Sequence, residues 1–384
     1  MLTITPRKVY NKNGLFLLPT RNDKRGVIFM ELKIKDLSLN YFGHFDSLHS
    51  IEHTFVSGVN AVFGEFGSGK TTLLKAIAGL IEPYQGSVEL DGQALKLNKS
   101  TVVSLVFDDL GFFERRSLAY NMEYPLKIRK IPKDERKITV EGWLQKVNVS
   151  PNYLSDQVFR IPSQQRVECA LVRGFAKQSQ VILLDNPLSC LNPSERRLVF
   201  FELLRLFAEN SDKIIIYATD SAEEVRLLDC PTLVLSLGYV AGRGKFSEIT
   251  QTPQFLTPSE LLIPYFNTFE IILTKDGFAL FGKDYKIDFS NTLAESFIDK
   301  KAVVGFKPEA VIIGEISAKK TFEVSEPNGK IYLLDVGGTS FYSCVCSESV
   351  DLDTNKIYIF DDVSGRLIYP TASEKKESEN EEDN

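Results

Sequence analysis

The stretch AVFGEFGSGKTTLLKAIAGL, Ala61–Leu80, constrains this chain more than any other. An apolar run that reads as a strand passes into a glycine-rich loop and then, near Lys70, into a helix with apolar periodicity. Gly64, Gly67 and Gly69 let the backbone turn tightly, so successive N–H groups and the positive helix end can surround a phosphate. Lys70 is placed to reach the β/γ oxygens, and the Thr71 hydroxyl to meet Mg2+. Gly64, Gly67, Ser68, Gly69, Lys70, Thr71 and Thr72 are therefore the candidate contacts to a nucleoside phosphate, carried on an α/β domain.

Length and composition narrow the rest. A chain of 384 residues predicts two domains. No apolar run approaches the roughly 20 residues that a membrane-spanning helix needs. The net charge of −6 comes partly from the terminal SEKKESENEEDN, so the folded part gives no reason to expect nucleic acid as a partner. Residues 372–384 are expected to be a solvated acidic tail, and residues 1–29 a disordered leader or a mis-assigned start ahead of Met30. Cys169, Cys190, Cys230, Cys344 and Cys346 lack metal-type spacing and read as reduced thiols. His44, His49 and His53 resemble a ligand cluster but read better as an incidental loop and strand. No histidine follows residue 53.

Beyond the loop, the motifs keep a recognisable order. IEPYQGSVELDG follows the first helix, and VFDDLGFFERRSLAYNMEYPL carries Asp108. IPSQQRVECALVRGF, VILLDN and YATDSAEEV come next in turn. From about Met30 to Pro370 the chain resembles the ATP-binding subunit of an ABC transporter. The resemblance implies ATP and Mg2+ as cofactors, with Thr71, Asp108 and Asp185 toward the metal. It places Tyr41 where the family stacks an aromatic on adenine, although Tyr41 alone is equally a strand-end surface aromatic. Asp108 stands where the family has a glutamine, whose carbonyl a carboxylate can replace at Mg2+ one methylene shorter. Ile161, Pro162, Ser163, Gln164 and Gln165 stand where the family has its LSGGQ signature.

Four departures point one way. The family's Walker B strand ends Asp-Glu, the glutamate serving as base; here Asp185 is kept and Asn186 follows it. An amide can hydrogen-bond a water but cannot take its proton. Asp220 stands in place of the family's switch histidine, and a carboxylate about 4 Å from a phosphate charge is repelled by roughly 4 kcal/mol at an effective dielectric near 20. Asp220 must therefore point away, pair or protonate. Pro162 offers neither hydroxyl nor N–H in the signature, and Asn192 replaces the D-loop aspartate. Without an intact base or switch, an ABC-type ATPase with impaired hydrolysis is expected.

After GRGKFSEITQTP the chain turns to short β-rich runs with glycine turns, IILTKDGFALFGKDYKI and GKIYLLDVGGTSFYSCVC, suited to a small barrel or sandwich. VVGFKPEAVII and IYIFDDVSGRLIYP resemble segments of the regulatory, OB-like (TOBE) domain of sugar-importer ATPase subunits. The expected architecture is a P-loop ABC ATPase domain over residues 30–253, with a helical subdomain about 108–165. A small all-β domain over 254–371 follows it. The resemblance implies an importer, carbohydrate being the leading cargo with polyamine or metal ion next. It also implies permease subunits and a second ATP-binding subunit as partners, and a place on the cytoplasmic face of the membrane. The alternatives are a nucleotide-sensing regulatory protein that drives no transport, and a slow ATPase with a substitute base.

Overall fold

A computed structural model describes residues 30–41, 45–95, 102–147, 149–176, 179–287, 296–326 and 329–370. The expected leader and acidic tail lie outside the described residues. The chain divides into two compact units.

The first unit holds residues 30–62 (where described), 66–220 and 237–239. The alternation that starts at Met30 forms β1 (Glu31–Tyr41), with Leu32 and Ile34 buried and Lys33 and Lys35 outward. It pairs antiparallel with β2 (Phe45–Val56), and next comes β3 (Gly58–Phe63), whose six residues are all buried. The loop then enters α1 (Lys70–Ile77). β4 (Gln85–Leu90) and β5 (Gln93–Ala94) complete a sheet of order β2-β1-β4-β5, with Ile34 opposite Val88.

The other sheet of this unit is fed by β6 (Val103–Val106), β7 (Val181–Asp185) and β8 (Ile214–Thr219), and runs in the order β3-β8-β7-β6. β7 lies parallel to both its neighbours. Every residue of β7 and β8 is buried, as expected for parallel strands covered on two faces. The phosphate loop leaves one of these strands and Asp185 ends another, so the sheet itself brings the two motifs to one edge.

Between β6 and β7 lie α2 (Leu118–Ile128), α3 (Lys133–Lys146) and α4 (Ser163–Ala176), and α5 (Pro193–Glu209) follows β7. Leu118, Met122, Leu126, Val140, Leu144, Ile161, Cys169 and Val172 form the core of the helical segment, with Trp143 packed against it. Arg136 joins α3 to α2 through Glu123 at 3.1 Å. A buried amide closes the approach to α2: Asn121 accepts from the Phe113 N–H at 2.8 Å and donates to the carbonyls of Phe113 and Ser117 at 3.1 and 3.0 Å.

The second unit includes Phe63–Glu65, Ser221–Ser236 and the chain from Val240 onward. It takes in α6 (Ala222–Leu228), β9 (Thr232–Ser236), β10 (Tyr239–Gly244), α7 (Phe246–Gln251) and α8 (Leu256–Leu262). It thus begins upstream of residue 254, because Phe63, Val225, Val234, Ile249 and Leu262 share one apolar cluster.

The remainder is β-rich. β11 (Asn267–Thr274), β12 (Gly277–Leu280), β13 (Lys283–Lys286) and β14 (Lys301–Phe306) come first. β15 (Val311–Ser317), β16 (Lys319–Glu326), β17 (Gly329–Val336), β18 (Thr339–Ser343) and β19 (Ser349–Leu352) follow. β20 (Ile357–Asp361) and β21 (Leu367–Tyr369) close it. They form a six-stranded sheet of order β13-β12-β11-β14-β20-β21, a β15-β19 ladder and a β16-β17-β18 meander. Phe278, Val304, Phe306, Phe341 and Ile359 are central to the core they enclose.

The Asn121 bridge yields a measurable expectation. Asn121→Ala leaves a buried N–H and carbonyl unpaired and is expected to destabilise the helical segment by about 2 to 3 kcal/mol. Trp143 is the chain's only tryptophan and packs in that segment, so its fluorescence in a denaturant titration reports the shift. An unmoved midpoint would show that the bridge contributes nothing.

Candidate functional site

The site is built on a loop that only glycine can make at two places. Gly67 and Gly69 have φ of 83° and 102°, in the left-handed region. A Cβ on Gly69 would also stand 2.8 Å from Leu48 Cδ2 and 3.1 Å from the Ser47 carbonyl. Gly69 is the N-cap of α1 and brings no side-chain cap, so the positive end of the helix faces the loop without a capping side chain of its own. Lys70 is 7% exposed, with Nζ 3.5 Å from the Ser68 hydroxyl. The loop is pinned from outside by a turn: Gly238 N–H donates to the Ser68 carbonyl at 3.1 Å, and His49 N–H donates to the Gly238 carbonyl at 2.9 Å. The His49 ring stacks on Tyr239 at 4.1 Å, and His53 packs edge-on against Phe55 at 4.5 Å.

At the end of β7, Asp185 is buried and accepts from the Thr71 hydroxyl at 3.1 Å. Burial, first, and the nearby charge of Asp108 push its carboxyl above the usual range, while the Thr71 bond and Lys70 pull it down. A desolvated carboxylate beside a hydroxyl and facing a second carboxylate is a donor set that a hard divalent cation would relieve. Thr71, Asp185 and Asp108 thus fit Mg2+. Among the described residues no group of three or more His, Cys, Asp or Glu could hold a metal alone, so phosphate oxygens would have to complete its shell.

Asn186 follows with φ of 42°, a conformation in which asparagine is enriched. Its N–H donates to the Ala218 carbonyl at 2.9 Å, and its Nδ2 donates to Asp220 Oδ2 at 3.3 Å. Of the three possibilities open to Asp220, the structure takes pairing.

Gly67, Ser68, Gly69, Lys70, Thr71, Thr72, Asp108, Asp185, Asn186 and Asp220 line one cavity of about 500 Å3. Ser47, Phe66, Leu237 and Gly238 line it too. These four escaped sequence reasoning. Phe66 occupies a variable position of the loop motif, and the Leu237–Gly238 turn, with φ of 49° and 82°, signals itself only as a leucine-glycine pair between strands. Gly64 is buried at the exit of β3 and is not among the lining residues. The Tyr41 side chain lies outside the described residues.

The signature segment is not among the cavity's lining residues. Ile161 is buried in the helical core and Pro162 is exposed immediately before α4. The Ser163 hydroxyl accepts from Arg166 Nη2 at 3.3 Å, while Arg166 Nη1 lies 3.7 Å from Glu114. Gln164 donates to Glu168 at 2.9 Å, and Gln165 Oε1 is buried with no hydrogen-bond partner among the described residues. Asn192 has a definite task as the N-cap of α5. It accepts from Ser194 and Glu195 N–H at 3.1 and 3.0 Å, and Glu195 reaches back to its own N–H.

Comparison with known proteins agrees with this geometry. Residues 49–189 match the ABC transporter family model. The chain is 28% identical to the trehalose/maltose import ATP-binding protein MalK of Thermococcus litoralis, over 80% of this chain and 91% of that one. It is 26% identical to the sn-glycerol-3-phosphate import ATP-binding protein UgpC 2 of Agrobacterium fabrum, over 88% and 94%. Among solved structures, cbiO1 from Clostridium perfringens, part of the ABC transporter complex cbiONQ, has the same fold with a TM-score of 0.51. It is 22% identical and covers 61% of this chain and 95% of its own. With a phosphate loop, an aspartate at the end of β7 and a helical segment set in that fold, residues 49–189 form an ABC transporter domain, and the chain is similar to import ATP-binding proteins.

Proposed function

We propose that this chain is the Mg-ATP-binding subunit of a carbohydrate importer and that it hydrolyses ATP weakly by itself. The observation that carries the reading is the convergence of Lys70, Thr71 and Asp185 on one cavity at the N-terminus of α1. Bound Mg2+ would neutralise phosphate charge there, with Thr71, Asp185 and Asp108 holding it. Weak turnover is supported by the residues present: Asn186 has no basic oxygen to take a proton, and Pro162 has no N–H or hydroxyl to close over a second subunit's nucleotide. The importer reading rests on relatives named for trehalose/maltose, sn-glycerol-3-phosphate and alpha-glucoside transport, each aligned over 80% or more of this chain.

In this reading residues 30–253 serve the nucleotide and 254–371 regulate. Among the described residues no helix is long and apolar enough to cross a membrane. By likeness to the import ATP-binding proteins, the chain would work as a peripheral subunit, paired with a second ATP-binding subunit and docked on permease subunits at the cytoplasmic face. The docking surface we favour is aromatic. Phe113, Tyr120 and Tyr124 are 49%, 39% and 38% exposed. Phe113 meets the two tyrosines edge-on at 5.9 and 5.1 Å, and Arg116 lies over Tyr120. An exposed aromatic group of this kind is the composition of an interface core.

Calorimetry on the full chain tests the nucleotide site. Lys70→Ala is expected to weaken Mg-ATP roughly ten- to hundredfold by removing a charge-assisted contact. Chelating Mg2+ should weaken ATP more in the unmodified chain than in Thr71→Ala. Unchanged affinity in Lys70→Ala would refute the assignment.

Docking is tested by co-expressing the chain with candidate permease subunits and measuring their co-purification. Tyr120→Asp combined with Tyr124→Ala should abolish capture and leave ATP affinity unchanged. Capture at the unmodified level would move the docking surface elsewhere.

A further inference from the structure

Three carboxylates line the nucleotide cavity, and their surroundings give them unequal freedom to act as a base. Asp185 is buried and its Oδ1 accepts from Thr71. Asp108 turns its Oδ1 back onto the Asp109 N–H at 2.9 Å. Asp220 is exposed at the end of β8 and receives the Asn186 amide on Oδ2. A carboxylate has about four acceptor positions, so this bond orients Asp220 and leaves room for a water. The amide is itself held in place, because the Asn186 N–H is bonded to Ala218 and its carbonyl accepts from Ser189 N–H at 3.1 Å.

Resting on the nucleotide reading above, we infer that Asp220 is the proton acceptor for residual hydrolysis at this site and that Asn186 positions it. The water oxygen forms a bond to the terminal phosphorus of ATP. The bond from that phosphorus to the bridging oxygen breaks, its electron pair leaving on ADP. The water's proton passes to the Asp220 carboxylate and from there to solvent, so ADP and inorganic phosphate are the products. Acceptor and donor have exchanged places relative to the family pattern, the carboxylate moving from position 186 to 220 and the donor from 220 to 186. Asparagine suits its end of the exchange because residue 186 takes a left-handed backbone. Asp220 needs the exposure it has, since its proton must leave.

Phosphate release by the full chain with Mg-ATP tests the assignment, with Lys70→Ala defining turnover that belongs to this site. Slow Lys70-dependent turnover is expected. Asp220→Asn, which keeps the shape and loses the basicity, should lower kcat roughly a hundredfold with ATP affinity unchanged or tighter. Asp220→Glu should retain part of the rate, which separates loss of the base from loss of the fold. Asn186→Gly tolerates the left-handed backbone and should lower kcat in the unmodified chain but add nothing in the Asp220→Asn background. That non-additivity is the signature of a residue acting through Asp220. The assignment is overturned if Asp220→Asn turns over as the unmodified chain does, or if no Lys70-dependent turnover exists while ATP still binds. Loss of the Lys70 effect on ATP binding would instead overturn the nucleotide reading beneath it.

Discussion

The hydrogen bond from the Thr71 hydroxyl to Asp185 is the contact on which the rest of the site depends. It joins the first turn of α1 to the end of β7, two pieces of chain more than a hundred residues apart. The bond also lowers the burden of a carboxylate that burial and Asp108 both disfavour. Once that bond fixes the mouth of the loop against the sheet, Lys70 and the α1 N–H groups face the same space as Asn186 and Asp220. Parallel strands buried on both faces supply the rigidity, because neither strand end can shift without disturbing a filled interior.

Much of this was legible in the chain because the chemistry is local. A glycine-rich turn between a strand and a helix is written in consecutive residues, and the structure forms β3, the loop and α1 where the pattern predicts them. The apolar run ending in Asp185 forms β7 for the same reason. Ser47, Leu237 and Gly238 were not legible: they reach the cavity through the hydrogen bonds that pin a distant turn on the loop, and no local periodicity encodes those. The second unit takes in segments upstream of residue 254 because its apolar cluster recruits Phe63 and Val225 from far apart in the chain.

The substituted positions also read differently in three dimensions. Taken as a pattern, Asn186, Asp220 and Asn192 are departures from a family. In the fold, Asn192 caps α5 in a capping box that the order Asn-Pro-Ser-Glu already spells. Asn186 adopts a backbone that its residue type tolerates well, and it satisfies Asp220. Pattern reasoning counts what is missing at a position, whereas the fold shows what the replacement bonds to. Pro162 remains the departure whose replacement makes no bond through its own side chain.

The lining of the cavity sets an electrostatic preference of its own. One lysine faces three aspartates there, so the ionised walls carry an excess of negative charge before any ligand arrives. A free polyanion such as bare pyrophosphate enters against that field, and a divalent cation bound to it lowers the opposing charge without removing it. The sign of the lining thus bears on which form of an anion the pocket can hold: a divalent cation offsets part of the repulsion that a bare anion would meet.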